Sequence, residues 1–477
     1  MRTTVFQGLF FNAGGAMKKL LLALTAAISV AALLFCGCTA DNTHSTLPLP
    51  APESSGSSSN GSEADDSSVE NGNLSPIPSD EISYAGSGTS SAASSLSDKN
   101  GETVKRSSVT FKAVWIEYTD SLFSKTNREL FTKTALEKFS KIKSSGFNAV
   151  ILHVRANADA VYKSSYFPYS AHLTGKQGTD PGFDPLEIAV KIAHDVGLEI
   201  HAWVNPYRVS AASDNINSLC ESNIARIWRT DGNKETDSYV IPWGGKLYFN
   251  PSCPEVQKLV LNGIREILDN YEVDGIHFDD YFYPSSDVNF DIGSYAKYCR
   301  KTAYPMSQGD WRRANVDTLV SAVYRLVKSY GKCFGISPAA PISKDNSDRN
   351  YNQYFINVKK WMANRGYIDY IAPQLYFGYE HKLASTRFDV LLEAWSETER
   401  LDSVKLYIGL AAYKIGLKND ADLTEWADKD DILKREYEDC TESTADGIIM
   451  YNYSSMFSPL ELNTAQRNNL LSIMNEE

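Results

Sequence analysis

Cysteine is scarce: seven thiols in 477 residues cannot form the dense disulfide framework on which small secreted folds depend. Positive charge is also in short supply, with 47 Lys and Arg against 59 Asp and Glu and a formal net charge of −12. That balance excludes a protein whose partner is a nucleic acid, because neutralising phosphates requires a basic surface. No glycine-rich phosphate loop follows the first strand pattern, which argues against a dinucleotide-binding sheet. No HxH or HxxH pair marks a metal site, so neither a metal nor another cofactor is expected. What the chain does have is 43% hydrophobic residues, enough for a sizeable core, and an aromatic content of 12% that includes 27 Tyr.

Composition divides the chain into three unlike segments. Residues 17–40 read MKKLLLALTAAISVAALLFCGCTA: two lysines, an apolar run of signal-peptide length, then small residues. The run is shorter than a comfortable transmembrane span and no basic stop-transfer patch follows it. It ends F-C-G-C, which resembles the bacterial lipobox with Gly37 before Cys38, although Phe35 and Cys36 depart from the usual upstream residues. The resemblance implies cleavage before Cys38 and lipidation of that cysteine, with Met17 the candidate start. Residues 41–108 hold 20 Ser, ten acids and three bases and almost no large apolar side chains. Such a segment cannot bury enough surface to offset the entropy of ordering it, and as a coil it reaches about 45 Å. The expected organisation is a lipoprotein signal at 1–40, a disordered acidic tether at 41–108 and one folded domain at 109–477. That domain is expected to be monomeric and lipid-anchored at the membrane of a bacterial envelope, facing the extracytoplasmic side.

From residue 109, short β-rich runs alternate with amphipathic helices. Strands are predicted at Ala113–Tyr118, Asn148–Val154, Glu199–Val204, Gly275–Phe278, Cys333–Ser337, Tyr370–Leu375, Lys405–Leu410 and Gly447–Tyr451, and Cys333 reads as strand core. Their near-continuous apolar character suits parallel strands covered on both faces. Helix ends are legible: Asp184 caps, Pro185 opens, Glu187 completes a capping box and Gly197 stops one helix. Pro254 opens another, with Val256, Leu259, Val260 and Ile267 inward, and Val316, Leu319, Val320, Val323 and Val327 form the face of a third. Leu136, Phe139 and Ile142 predict the inward face of the first helix, stopped by Gly146. Eight strand–helix units match an α/β fold of the (β/α)8 TIM-barrel type, with a doubly wound open sheet as the alternative.

In a barrel, chemistry sits at the C-terminal ends of the strands. Those positions hold Glu117; Arg155, Asn157 and Asp159; Trp203, Asn205, Tyr207 and Arg208; Asp279, Asp280, Tyr281 and Tyr283; Ser337; Gln374 and Tyr376; Tyr451 and Asn452. Amides and charges hydrogen-bond hydroxyls, and aromatic faces stack on sugar rings. The expectation is a carbohydrate cleft that accounts for the Tyr excess better than a packed core would, since each core Tyr needs a partner for its hydroxyl. Trp203, Trp243, Tyr376 and Tyr451 are the stacking candidates. His153, His201 and His277 fall on inward positions and read as core histidines in preference to metal ligands.

The segments HAWVNPYR (201–208), LYFNPSCPEVQ (247–257), DGIHFDDYFYP (274–284), DWRR (310–313) and DYIAPQLY (369–376) resemble the glycosyl-hydrolase-like family 10 of bacterial envelope proteins. The resemblance spans essentially all of 109–477. It implies a barrel glycosidase whose partner is the glycan of the cell wall. Asp279 and Asp280 also resemble the adjacent Asp pair of barrel hexosaminidases that use the substrate's 2-acetamido group as nucleophile. On that likeness Asp279 orients the acetamido group and Asp280 donates the proton, since adjacent carboxylates push their pKa values apart. The same stretch is similar to the chitinase motif DGxDxDxE, but His277 and Tyr281 replace its middle Asp and its Glu, so acid catalysis of that type is excluded. A two-carboxylate mechanism pairing Glu117 or Asp159 with Asp279 is a further option. Readings from other classes are a non-catalytic glycan-binding barrel and a metal-dependent polysaccharide deacetylase.

Overall fold

The structure, a computed structural model, describes residues 109–474 except 126, 280, 281, 419, 420 and 422. The expected signal, Cys38 and the tether lie outside the described residues.

Eight parallel strands close into a barrel in sequential order. They are β1 (Phe111–Ile116), β2 (Ala149–Arg155), β3 (Glu199–Val204), β4 (Gly275–Phe278), β5 (Cys333–Ile336), β6 (Tyr370–Ile371), β7 (Lys405–Leu410) and β8 (Gly447–Met450). Closure is made by β8 on β1, from Phe111↔Gly447 to Val114↔Met450. The principal helix after each strand is, in turn, α1 (Arg128–Ser144), α2 (Pro185–Asp195), α3 (Pro254–Asn270), α4 (Gln308–Ser329), α5 (Val358–Ala363), α6 (Phe388–Ser396), α7 (Ile432–Glu442) and α8 (Glu461–Met474). This is the (β/α)8 architecture, and the open-sheet alternative is excluded. The expected caps are in place: the Asp184 carboxylate accepts the N–H groups of Leu186 and Glu187 at 3.0 and 3.2 Å, and Gly197 follows α2 at φ 76°. The long loop after β3 carries a small antiparallel sheet, Arg208–Ser210, Lys246–Phe249 and Val240–Trp243.

The barrel interior is unusually aromatic, and glycines make the room. A Cβ at Gly335 would stand 2.0 Å from the Tyr370 ring, and one at Gly275 would stand 2.8 Å from His201 Nδ1. Tyr370 Oη lies between His201 Nδ1 at 2.9 Å and His277 Nδ1 at 3.0 Å. Trp115 Nε1 donates to His277 Nε2 at 3.2 Å. An indole N–H can only donate, so His277 accepts there and its Nδ1 carries the proton toward Tyr370, which in turn donates to His201. Burial first, and then the neighbouring His201, hold the His277 pKa well below the usual range. His277 is thus a satisfied core histidine, while His201 is satisfied at Nδ1 and its Nε2, without a hydrogen bond, lies 3.7 Å from Glu199 Oε2.

Several sequence expectations need correction. Strand β6 stops at Ile371 instead of Leu375, because Pro373 has no N–H for the ladder, and pairing resumes only as single bridges from Gln374 to Ala339 and Gly409. Leu136 is exposed: the buried stripe of α1 is Phe131, Ala135, Lys138, Phe139 and Ile142, and Leu136 sits about 100° beyond Ala135. Cys333 is exposed at the start of β5. Part of the tyrosine excess is a core property, since Tyr162, Tyr207, Tyr283, Tyr370 and Tyr437 are all fully buried.

Candidate active site

Side chains along a strand face inward at every second position. Trp115 and His277 touch across the barrel, so the next inward residues on β1 and β4, Glu117 and Asp279, rise together at its C-terminal mouth. Glu117 is half-buried; Tyr451 Oη donates to its Oε2 at 2.7 Å and Asn452 Nδ2 to its Oε1 at 2.8 Å. Burial raises the Glu117 pKa above the ordinary carboxylate range, and the hydrogen bond from Tyr451 pulls the other way. Tyr451 stacks on Tyr376, with ring centroids 5.5 Å apart and planes at 26°, while Tyr413 stands edge-on to both. Gln374 shares this face and donates to Ser337 O at 3.2 Å. The mouth therefore places a carboxyl group, an amide and a tyrosine trio around one space.

The loops carrying these groups are braced from below. Buried Asp120 takes Lys138 Nζ at 3.0 Å and Ser454 Oγ at 2.8 Å, tying the loop after β1 to the loop after β8. Glu425 accepts the N–H groups of Tyr379 at 3.1 Å and Glu380 at 2.9 Å, which fixes the loop that follows Tyr376. Asp279 is 2% exposed at the end of β4; Asp280 and Tyr281 lie outside the described residues. The chain beyond them is anchored by Arg312 of the DWRR segment. Its guanidinium grips Asp291 at 2.6 Å in a fully buried pair and also donates to the carbonyls of Ser286 and Asp287 at 3.2 and 2.7 Å.

Four residues expected at the rim are not there. A bulge between His153 and Arg155 turns Arg155 out of the inward row. It is 2% exposed, stacked over Phe167 and bonded to Pro206 O at 3.3 Å. Tyr207 and Tyr283 are fully buried in the main core and cannot meet a sugar. Asn205 is buried as well; it accepts from Trp203 Nε1 at 2.9 Å and donates to Ala156 O at 3.2 Å, so it positions Trp203. Trp203 lines the inner wall with one face covered by the His153 ring, 3.6 Å away and parallel to within 8°. Asn157 and Arg208 are half-buried near the mouth. Asp159 is 6% exposed; burial pushes its pKa up to about 6, against hydrogen bonds from Gln177 and Ser170.

Sequence reasoning passed over Tyr118, His172 and Tyr413. Tyr118 was assigned to the strand, yet β1 ends at Ile116, which frees the next residues to line the mouth. His172 lies on a one-turn helix, Ala171–Thr174, that no pattern announced. All five cysteines of the barrel are free thiols. Among the described residues no group of three His, Cys, Asp or Glu side chains could hold a metal ion, and no helix is long and apolar enough to cross a membrane.

The family model described as glycosyl hydrolase-like 10 matches residues 110–428. The chain is 34% identical over 342 residues to Glycosyl hydrolase YngK of Bacillus subtilis (strain 168), a match covering 68% of this chain and 64% of the relative. It is 33% identical over 300 residues to Glycosyl hydrolase DigH of Escherichia coli (strain K12), covering 59% of this chain and 66% of the relative. The matched region thus spans slightly less than two thirds of either relative. The PgaB (BpsB) glycoside hydrolase domain of Bordetella bronchiseptica shares the fold, with a TM-score of 0.52 at 14% identity over 76% of this chain and 98% of that one.

Proposed function

The chain belongs to the glycosyl hydrolase-like 10 family, and from that premise we propose that it is a glycoside hydrolase cutting 2-acetamido-bearing glycan strands of the bacterial cell wall. The observation that carries this reading is the mouth above the Trp115–His277 layer. There two inward carboxyl positions, Glu117 and Asp279, rise beside the stacked tyrosines Tyr376 and Tyr451. A sugar ring laid on those tyrosines presents its hydroxyls to Glu117 and Gln374, while its glycosidic bond faces Asp279. In the proposed mechanism Asp279 holds the substrate acetamido group, whose carbonyl oxygen attacks C1 as the C1–O bond breaks. The departing oxygen takes the Asp280 proton. Water then attacks C1, the acetamido group is released and the water proton returns to Asp280. Such substrate assistance needs two carboxyl groups of different proton affinity, which adjacent placement produces.

The signal-like 17–40 segment and the Ser-rich 41–108 segment support a further part of the proposal, that the barrel is lipid-anchored at Cys38 and works outside the membrane on a leash. The catalytic part is tested by incubating the purified protein with isolated glycan strands, with and without stem peptides, and counting new reducing ends. Products from wild type and none from Asp280→Asn support the reading. Binding without products, in wild type as in the variant, overturns it in favour of a glycan-binding barrel.

A further inference from the structure

Glu117 stands at the end of β1, between β8 on one side and β2 on the other. The tyrosine trio lies on the β8 side. On the β2 side is a second aromatic group that the mechanism leaves unused. Tyr118, half-buried, is held edge-on by two imidazoles: His153 at 5.2 Å and 87°, and exposed His172 at 4.8 Å and 88°. Behind it His153 lies parallel to Trp203 at 3.6 Å. His153 is 2% exposed; Asn205 is a polar neighbour, but neither ring nitrogen makes a hydrogen bond of good geometry. One of those nitrogens must carry a hydrogen, and a buried donor left unpaired costs about 1–3 kcal/mol. A sugar hydroxyl or amide reaching that nitrogen would remove the cost, and burial keeps the ring neutral by holding its pKa well below the usual range.

We propose that Tyr118, His153 and His172 form a second sugar-ring subsite, separated by Glu117 from the subsite on Tyr376 and Tyr451, so that the protein grips two or more consecutive 2-acetamido sugars. The proposal rests on the glycosidase reading and deepens it. Tyr118 supplies the stacking face, fixed in orientation by the two edge contacts, and His153 supplies the polar partner beneath it. One ring resting on the trio and the next on Tyr118 place the linking oxygen over the mouth, and chain length becomes a determinant of affinity.

The test is a calorimetric titration of the full chain, carrying Asp280→Asn so that no turnover occurs, with oligomers of 2-acetamido-2-deoxyglucose of one to four units. Affinity should rise with length. Adding Tyr118→Ala should weaken tetramer binding about tenfold, the worth of one ring stack at about 1.4 kcal/mol, with monomer binding unchanged. Adding Tyr118→Phe should preserve the length dependence, and His172→Ala, on an exposed short helix, should reduce it without altering the melting temperature. Tyr376→Ala should instead weaken every length. Tetramer affinity unchanged by Tyr118→Ala, while Tyr376→Ala weakens it, overturns the second subsite and leaves the glycosidase reading standing. Failure of every oligomer to bind overturns both.

Discussion

At the scale of single residues, the site depends on which carboxyl groups are ionised and which hold sugar. Glu117, gripped by Tyr451 and Asn452, is a binding group in this account. Glu117→Gln should raise KM roughly tenfold, as expected for a lost charged hydrogen bond, with a smaller change in kcat. A collapse of kcat as deep as that of Asp280→Asn would instead point to a Glu117–Asp279 two-carboxylate mechanism. Asp159 offers a separate test. Its pKa rises from 3.8 to about 6 on folding because burial penalises the ionised form. Its contribution to stability is therefore full below pH 3.8 and lost as pH rises through 6. Asp159→Asn cannot ionise, so it should gain stability relative to wild type between pH 4 and 7, by up to about 3 kcal/mol, read from denaturant melts at each pH. Residues at strand ends were legible in the sequence because barrel geometry fixes where strand ends point, as for Glu117 and Asp279. Arg155 was misread because a one-residue bulge has no signature in composition, and Tyr207 and Tyr283 because a buried tyrosine looks like an exposed one in sequence.

At the scale of elements, caps and apolar stripes identified the first four principal helices, α1 to α4, and strands β3, β4 and β7 kept their expected limits. One slip has a single-residue cause: Pro373 shortened β6 by withholding an N–H. Gly335 marks an element-level constraint that sequence patterning does not display. The Tyr370 ring occupies the space of a side chain there, so Gly335→Ala should destabilise the barrel by about 3 kcal/mol or more, or prevent folding. The Arg312–Asp291 pair restrains the loop after β4. Arg312→Ala leaves a buried carboxylate unpaired and should cost about 3–5 kcal/mol in a chemical melt. It should also lower kcat at temperatures where the variant is fully folded, because the segment around Ser286 and Asp287, which Arg312 also holds, is then less constrained.

At the scale of the whole molecule, composition conveyed the class and misassigned one of its causes. The aromatic surplus fills the barrel as well as its mouth: Tyr370 bridges two histidines where an aliphatic layer is the norm for this fold. Net charge said little about substrate, since −7 of the −12 belongs to residues 41–108. If the folded unit begins near 109, a chain starting there should be soluble and melt with the same midpoint as the longer protein; a lower midpoint would show that the preceding segment contributes to the core. The most direct measurement of the central claim compares intact glycan strands with the same strands after chemical de-N-acetylation, scoring new reducing ends. Hydrolysis assisted by the substrate's own acetamido group predicts ends from the acetylated strands and a loss of nearly all of them after de-N-acetylation. Equal release from both, or none from either, would contradict it.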